Sequence, residues 1–240
     1  MSNPTAQITA RKFEQDSPAG AGVGAPSART IVKRGPTRAV YERETINAIL
    51  DEAIICHVGF VYQDSPRVIP CVFARSGDVL YLHGSTANRM LRSIAAGEVC
   101  ITVTLVDGLV LARSAFHHSV NYRSVVIYGR GEAVTDPVEK DEALRLTLEH
   151  AIPGRWGDVR PPNREETLRT LVVRVPLDEA SAKIRVGDPV DEDEDHALEC
   201  WAGVIPLHCA PQPPVDDGLL RAGIAAPDYA LAYRRPVQRD

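Results

Sequence analysis

Apolar positions along the chain change period several times. In "YERETINAILDEA" (41–53), Ile46, Ile49, Leu50 and Ala53 recur at helical spacing with acids early, which predicts an amphipathic helix. "IICHVGFVY" (54–62), "VIPCVFA" (68–74) and "VLYLHG" (79–84) are strand-like runs separated by turns at "QDSPR" and "RSGD". They predict a three-stranded antiparallel meander. "STANRMLRSIAAG" (85–97) returns to helical period. Met90, Leu91, Ile94 and Ala95 form its apolar face, Ser85 is placed to cap it and Gly97 to stop it.

"EVCITVTLV" (98–106) predicts another strand and "DG" (107–108) a hairpin. "LVLARSAF" and "YRSVVIYGRGEAV" (122–134) extend a long antiparallel set. "DPVEKDEALRLTLEHAI" (136–152) predicts a helix with Asp136 as cap and Pro137 in its first turn. "PGRWGDVRPPN" (153–163) reads as a loop and "NREETLRT" as a short helix. "TLVVRVPL", "ASAKIRVG" and "CWAGVIPL" (200–207) read as strands, with the acidic loop "DPVDEDEDHALE" (188–199) before the last. Strands in hairpin order with inserted helices predict a mostly-β, α+β fold, a small antiparallel barrel with flanking helices. Residues 1–37 are rich in small residues, Gly and Pro and predict a flexible N-terminal arm. Residues 38–208 form the barrel domain, and 209–240 a C-terminal extension that trails over the surface or a partner subunit.

The 240 residues suit one barrel or α+β domain, or two small ones. The net charge of −5 carries no basic excess that would point to nucleic acid or an anionic membrane. No apolar run approaches the roughly 20 residues of a membrane helix, and the N-terminus lacks the pattern of a secretory leader. The expected location is cytoplasmic. Five cysteines without a C-x-x-C pair argue against a disulfide framework and a structural zinc site. Cys56, Cys71 and Cys100 sit among β-branched residues, as small buried hydrophobes do.

Candidate chemistry concentrates in a few stretches. In "YLHGSTANRM" a strand runs into Gly84, Ser85 and Thr86, then a helix carrying Arg89. Free N–H groups, hydroxyls and a guanidinium suit a phosphate there; simple capping beside a surface arginine is the other reading. No G-x-x-x-x-G-K-[ST], G-x-G-x-x-G or G-x-S-x-G occurs, so common nucleotide sites and a hydrolase elbow find no support. "LARSAFHHSVNYRSVVIYGRG" (111–131) is dense in hydrogen-bonding groups. Its adjacent His117 and His118 would point to opposite faces of a strand, which disfavours a shared metal; no metal site is expected. Lys183, Arg185 and Trp201 place two cations and an indole late in the chain. They suit strand packing at a solvated edge, or a lid over a planar anionic ligand.

Together, "ILDEAIICHVGFV", "PRVIP", "YLHGSTANRMLRSIAAG", "TLVDGLVLARSAFHHSVNYRSVVIYGRGEAV", "AIPGRW" and "SAKIRVGDPVDEDEDHALECWAGVIPL" resemble the flavin-binding branch of the pyridoxamine 5′-phosphate oxidase-related proteins. The likeness spans about residues 35–208, and the broad superfamily includes nitroimidazole-resistance proteins. The resemblance implies a split β-barrel that forms a homodimer, with two FMN molecules in clefts between subunits. It implies that Arg67, Val68, Ile69 and Pro70 run beside the isoalloxazine ring. His83, Gly84, Ser85, Thr86, Asn88 and Arg89 would hold the ribityl phosphate. Ser119, Asn121, Tyr122, Arg123 and Ser124 would line the cleft, and Trp201, Lys183 and Arg185 would come over the ring or substrate. The complete substrate-phosphate signature of the true oxidases is missing, and the chain ends "AYRRPVQRD". Arg89 stands where relatives often have lysine, and arginine can clamp a phosphate bidentately. The implied function is an FMN-dependent oxidoreductase acting on a small molecule, with His57 and Tyr122 as proton donors. The alternatives are a non-enzymatic flavin carrier or sensor, or a haem protein using His57, His117 or His118 as axial ligand. FAD or a deazaflavin could stand in place of FMN.

Overall fold

A computed structural model describes residues 24–234. The first helix, α1 (Arg43–Glu52), buries Ile46, Ile49 and Leu50, the stripe its spacing predicts. The following hairpin joins β2 (Ile55–Tyr62) to β3 (Ser65–Ser76) through Gln63 and Asp64, both at positive φ. That two-residue turn carries the twist hairpin strands favour. It starts β3 three residues before the expected Val68. Pro66 and Pro70 therefore lie inside a strand. They are tolerated because β3 pairs only with β2 over Ser65–Val72, so its other edge has no ladder bond to lose.

β3 then pairs with β4 (Val79–Ser85) over Phe73–Ser76. The helix after β4 is shorter than expected: α2 spans Arg89–Ile94, and its cap is Asn88, whose side chain accepts from Leu91 N at 3.3 Å. Ser85 is not the cap. It remains paired with Thr170, and Thr86 N donates to Arg169 O at 2.9 Å, holding the chain extended past Ser85. Its hydroxyl accepts instead from Ala87 N at 3.1 Å.

β5 (Glu98–Leu111) pairs with β6 (Ser119–Arg130), and the expected hairpin at Asp107–Gly108 is absent. The strand passes through with a register shift between Val106 and Gly108. The cause is tertiary: β10 (Gly203–Pro206) packs alongside, and a side chain on Gly108 would come within 3.1 Å of Ile205 O. The real turn falls at 112–118, so His117 and His118 lie in a loop rather than on a strand. After the short β7 (Glu132–Ala133), α3 (Pro137–Ala151) begins as expected, with Asp136 accepting from Val138 N and Glu139 N. α4 (Arg164–Arg169) starts with a reciprocal Asn163/Glu166 capping box.

β8 (Thr170–Pro176) pairs with β4 and β7, and β9 (Glu179–Arg185) with β6 and the short β1 (Ala39–Val40). All pairings are antiparallel, in the order β1-β9-β6-β5-β2-β3-β4-β8-β7 with β10 beside β5. This is a mostly antiparallel split barrel with flanking helices. Val58, Ile101, Ile127 and Ala180 form one inward row across β2, β5, β6 and β9, all essentially buried. α1 and α2 add their apolar faces to this core.

The described part of the N-terminal arm packs on the sheet. Thr30 is buried, and Arg29 bonds Glu98 and Glu179 with its guanidinium over the Tyr128 ring. Residues 1–23 of the expected arm lie outside the described residues. In the C-terminal extension, α5 (Asp228–Leu231) returns to the barrel: Tyr229 accepts from Arg155 and Tyr233 donates to Ala151 O, each at 2.8 Å. Residues 235–240 lie outside the described residues. Among the described residues no helix is long and apolar enough to cross a membrane.

Candidate cofactor-binding cleft

The two sheets part where β3 leaves β4. Arg67, Val68, Ile69 and Pro70 pair only with β2, whereas His83, Gly84 and Ser85 pair only with β8. The two candidate segments thus flank one opening. α2 borders it, with Met90 Sδ 3.9 Å from Cys71 Sγ on β3. Ile69 stands opposite Val58 in the ladder and faces the core side, yet Ile69 is 40% exposed and Val58 is 0%. An apolar side chain left uncovered on the core side of a strand fits a planar organic ligand in the split. A Cβ on Gly84 would lie 3.0 Å from Leu91 Cδ1, a tight fit that the leucine side chain would have to relieve. Thr86 and Arg89 are exposed, and Asn88 is committed to its cap. Partial desolvation lowers the pKa of the His83 imidazole from its ordinary value, although the side chain stays exposed to solvent.

The opposite face of the larger sheet carries a second row. Pro70, His57, Thr102, Val126 and Ser181 are ladder partners from β3 to β9. The next row holds Thr104, Ser124, Lys183 and Ala39, and Ser124 Oγ donates to Lys183 O at 3.2 Å. Tyr122 follows, opposite Val106 and Arg185. His57 and Tyr122 share this face without meeting. Their β5 partners, Thr102 and Val106, are four residues apart, about 13 Å along the strand.

Three candidates are engaged within the chain. Arg123 is bonded to Asp107 and Glu52. Burial works against its charge, but the bonds to Asp107 and Glu52 outweigh that and hold the guanidinium above its ordinary pKa. Arg185 donates to Asn121 Oδ1 and to the carbonyls of Gly187 and Asp188, and Asn121 Nδ2 donates to Gly187 O. Burial, then the nearby charge of Arg38, lowers the Arg185 pKa. By contrast, among the described residues Arg67, Arg89 and Lys183 enter no ion pair. Of the candidate site residues, these are the cations left open to an anionic ligand.

Ser119 opens β6 opposite Val110, and Trp201 is exposed just before β10. Gly203 makes room for that indole, whose Cζ2 would sit 2.9 Å from a Cβ there. Sequence reasoning missed Glu52, Asp107, Asp191 and Ser114. Glu52 and Arg123 are 71 positions apart, and Asp191 and Arg113 are 78 apart; only the topology joins such pairs.

Residues 42–184 match the family model described as pyridoxamine 5′-phosphate oxidase, and the chain belongs to that family. It is similar to the flavocytochrome Anf3 from Azotobacter vinelandii, at 42% identity over 88% of this chain and 99% of that one, with a TM-score of 0.84. It is also similar to an FAD and haem binding protein from Mycobacterium smegmatis, at 34% identity over 80% and 95% of the chains and a TM-score of 0.76. A protein from Bacteroides thetaiotaomicron described as a candidate 5-nitroimidazole antibiotic resistance protein shares 27% identity over 61% of this chain and 86% of its own, with a TM-score of 0.51. No curated protein matches the chain.

Proposed function

We propose that this protein is an oxidoreductase that binds a flavin in the split between β3 and β4, and a haem as a second prosthetic group. The observation that carries the reading is the 42% identity with a flavocytochrome, which extends well beyond the family region to cover 88% of this chain. The open split fits the flavin: it is bordered by an uncovered Ile69, by Gly84, and by Arg67 and Arg89, which enter no ion pair among the described residues. The family resemblance alone favours FMN. The likeness to a protein described as binding FAD and haem shifts the preference to FAD.

When bound, a flavin supplies hydride and single-electron transfer and a haem supplies single-electron transfer. The chain's own residues bind and orient. Arg89 and Thr86 would hold the phosphate end and Arg67 to Pro70 would border the ring, while Lys183, on the outer sheet face, would balance charge only on a flavin that reaches that face. His57 and Tyr122 are the groups proposed to hold a proton, at an imidazole nitrogen and the phenol oxygen. The outer sheet face exposes Ile55, Val61, Val68, Val106 and Val120, an apolar surface that suits a second copy of the chain. In that arrangement the partner sheet closes the site, and His57 of one strand row need not meet Tyr122 of its own chain. Fluorescence titration of the stripped protein with FAD and with FMN tests the flavin assignment. Saturable quenching at one flavin per chain, tighter for FAD, is the expected result; absence of quenching with both removes the reading.

A further inference from the structure

Resting on the haem reading above, we propose that His118 is the axial ligand to the haem iron, through Nε2. An imidazole that binds iron needs one nitrogen with a free lone pair, and the other is usually fixed by a hydrogen bond to a carbonyl or carboxylate. His118 Nδ1 lies 3.0 Å from Ser114 O. A carbonyl oxygen can only accept, so Nδ1 donates, and in the neutral ring the lone pair lies on Nε2. The ring is exposed at the end of the 112–118 loop.

The other histidines lack this combination. His150 Nε2 donates to Ala53 O at 2.6 Å and its ring packs on Phe73, inside the α3 contact. His117 turns Nε2 toward Glu192, at 3.6 Å, with its ring edge-on to Phe116. His57, His83, His196 and His208 have no imidazole hydrogen bond among the described residues to set the tautomer.

The surroundings suit a porphyrin. Loop 112–118 and segment 188–201 are locked together: Asp191, its side chain 1% exposed, accepts from Arg113 N at 2.8 Å and from its guanidinium at 3.0 Å. Cys200 Sγ adds a contact to Arg113 O. This joined unit nevertheless leaves large apolar side chains uncovered: Phe116 is 88% exposed, Val190 74% and Trp201 66%. A hydrogen-bonded loop pair that leaves apolar surface uncovered, with Phe116 two residues from the Nδ1-bonded His118, suits an apolar, iron-bearing macrocycle.

The test compares purified wild type, His118→Ala, His118→Met and His117→Ala, each loaded with haemin and flavin. Haem is read from the Soret band and pyridine haemochrome, flavin from heat-released fluorescence. His118→Ala is expected to lower haem affinity by more than about tenfold while keeping bound flavin, and added imidazole restores the band. His118→Met keeps haem with a shifted spectrum, and His117→Ala keeps the wild-type band. A His118→Ala protein with undiminished haem and an unshifted Soret band overturns the ligand assignment while leaving the haem reading intact. The same holds if that variant only weakens self-association, which would mark the loops as a contact between copies. Wild type that takes flavin but no haemin overturns the haem reading, and this assignment with it.

Discussion

Arg123 on β6 grips Asp107 on β5 with two hydrogen bonds, of 2.9 and 2.7 Å, at the bulge in the long hairpin. Glu52, the last residue of α1, completes the clasp from the other side. The arrangement ties helix, bulge and hairpin together, and it leaves the guanidinium only 12% exposed. Removing one partner from such a network leaves the others partly buried and unpaired. Arg123→Met is expected to lower stability by about 3 kcal/mol, read as a fall in the denaturant midpoint. A variant of unchanged stability that loses flavin would instead make Arg123 a cofactor contact.

Acid should loosen the contact between α3 and α1. His150 donates to Ala53 O, and burial lowers its pKa from the ordinary 6.5 despite that bond. The unfolded chain therefore takes up this proton more readily than the folded one. The stability His150 contributes is present above pH 6.5 and is lost as pH falls from there through the lowered folded value. In His150→Phe the drop in unfolding free energy between neutral and mildly acidic pH should shrink. An unchanged pH slope would remove His150 as a source.

Arg89 is exposed, enters no ion pair among the described residues and opens α2 beside the split. Arg89→Ala is expected to weaken flavin binding by about 1.5–3 kcal/mol, the usual range for a hydrogen bond to a charged group. Melting temperature of the apoprotein should not move. Equal affinities for the variant and wild type would place the phosphate elsewhere.

Gly131 is a test of packing alone. A Cβ there would lie 2.3 Å from Ile94 O and 2.9 Å from Val173 Cγ1, where the end of β6 passes α2. Its φ lies in the ordinary range, so the effect is steric. Gly131→Ala should cost about 2–3 kcal/mol, seen in chemical denaturation; a neutral outcome would mean that α2 can shift freely.

Local chemistry made some features legible and tertiary pairing hid others. Asp136 and Pro137 carry the start of α3 within three residues, and that helix begins where they indicate. The apolar run "IICHVGFVY" marked the strand that became β2. Ser85 misled because its strand bond to β8 outlasts its capping preference. Asp107–Gly108 misled because β10 and Arg123 recruit a hairpin signal into a bulge. "HGSTANR" draws attention by its residues and "RVIP" only through the family resemblance, and the fold puts them on either side of one opening. No local pattern could show that Arg123 and Arg185 are bound within the chain, or that Ser114 orients His118. Those relationships exist only once distant strands are side by side.

The most direct measurement is the visible absorption spectrum of the purified protein, repeated on the filtrate after heat release. A flavin spectrum that passes into the filtrate, with a Soret band left on the protein, is the predicted result. A protein that is colourless as purified, and that stays so after incubation with FAD, FMN and haemin, contradicts the proposed function.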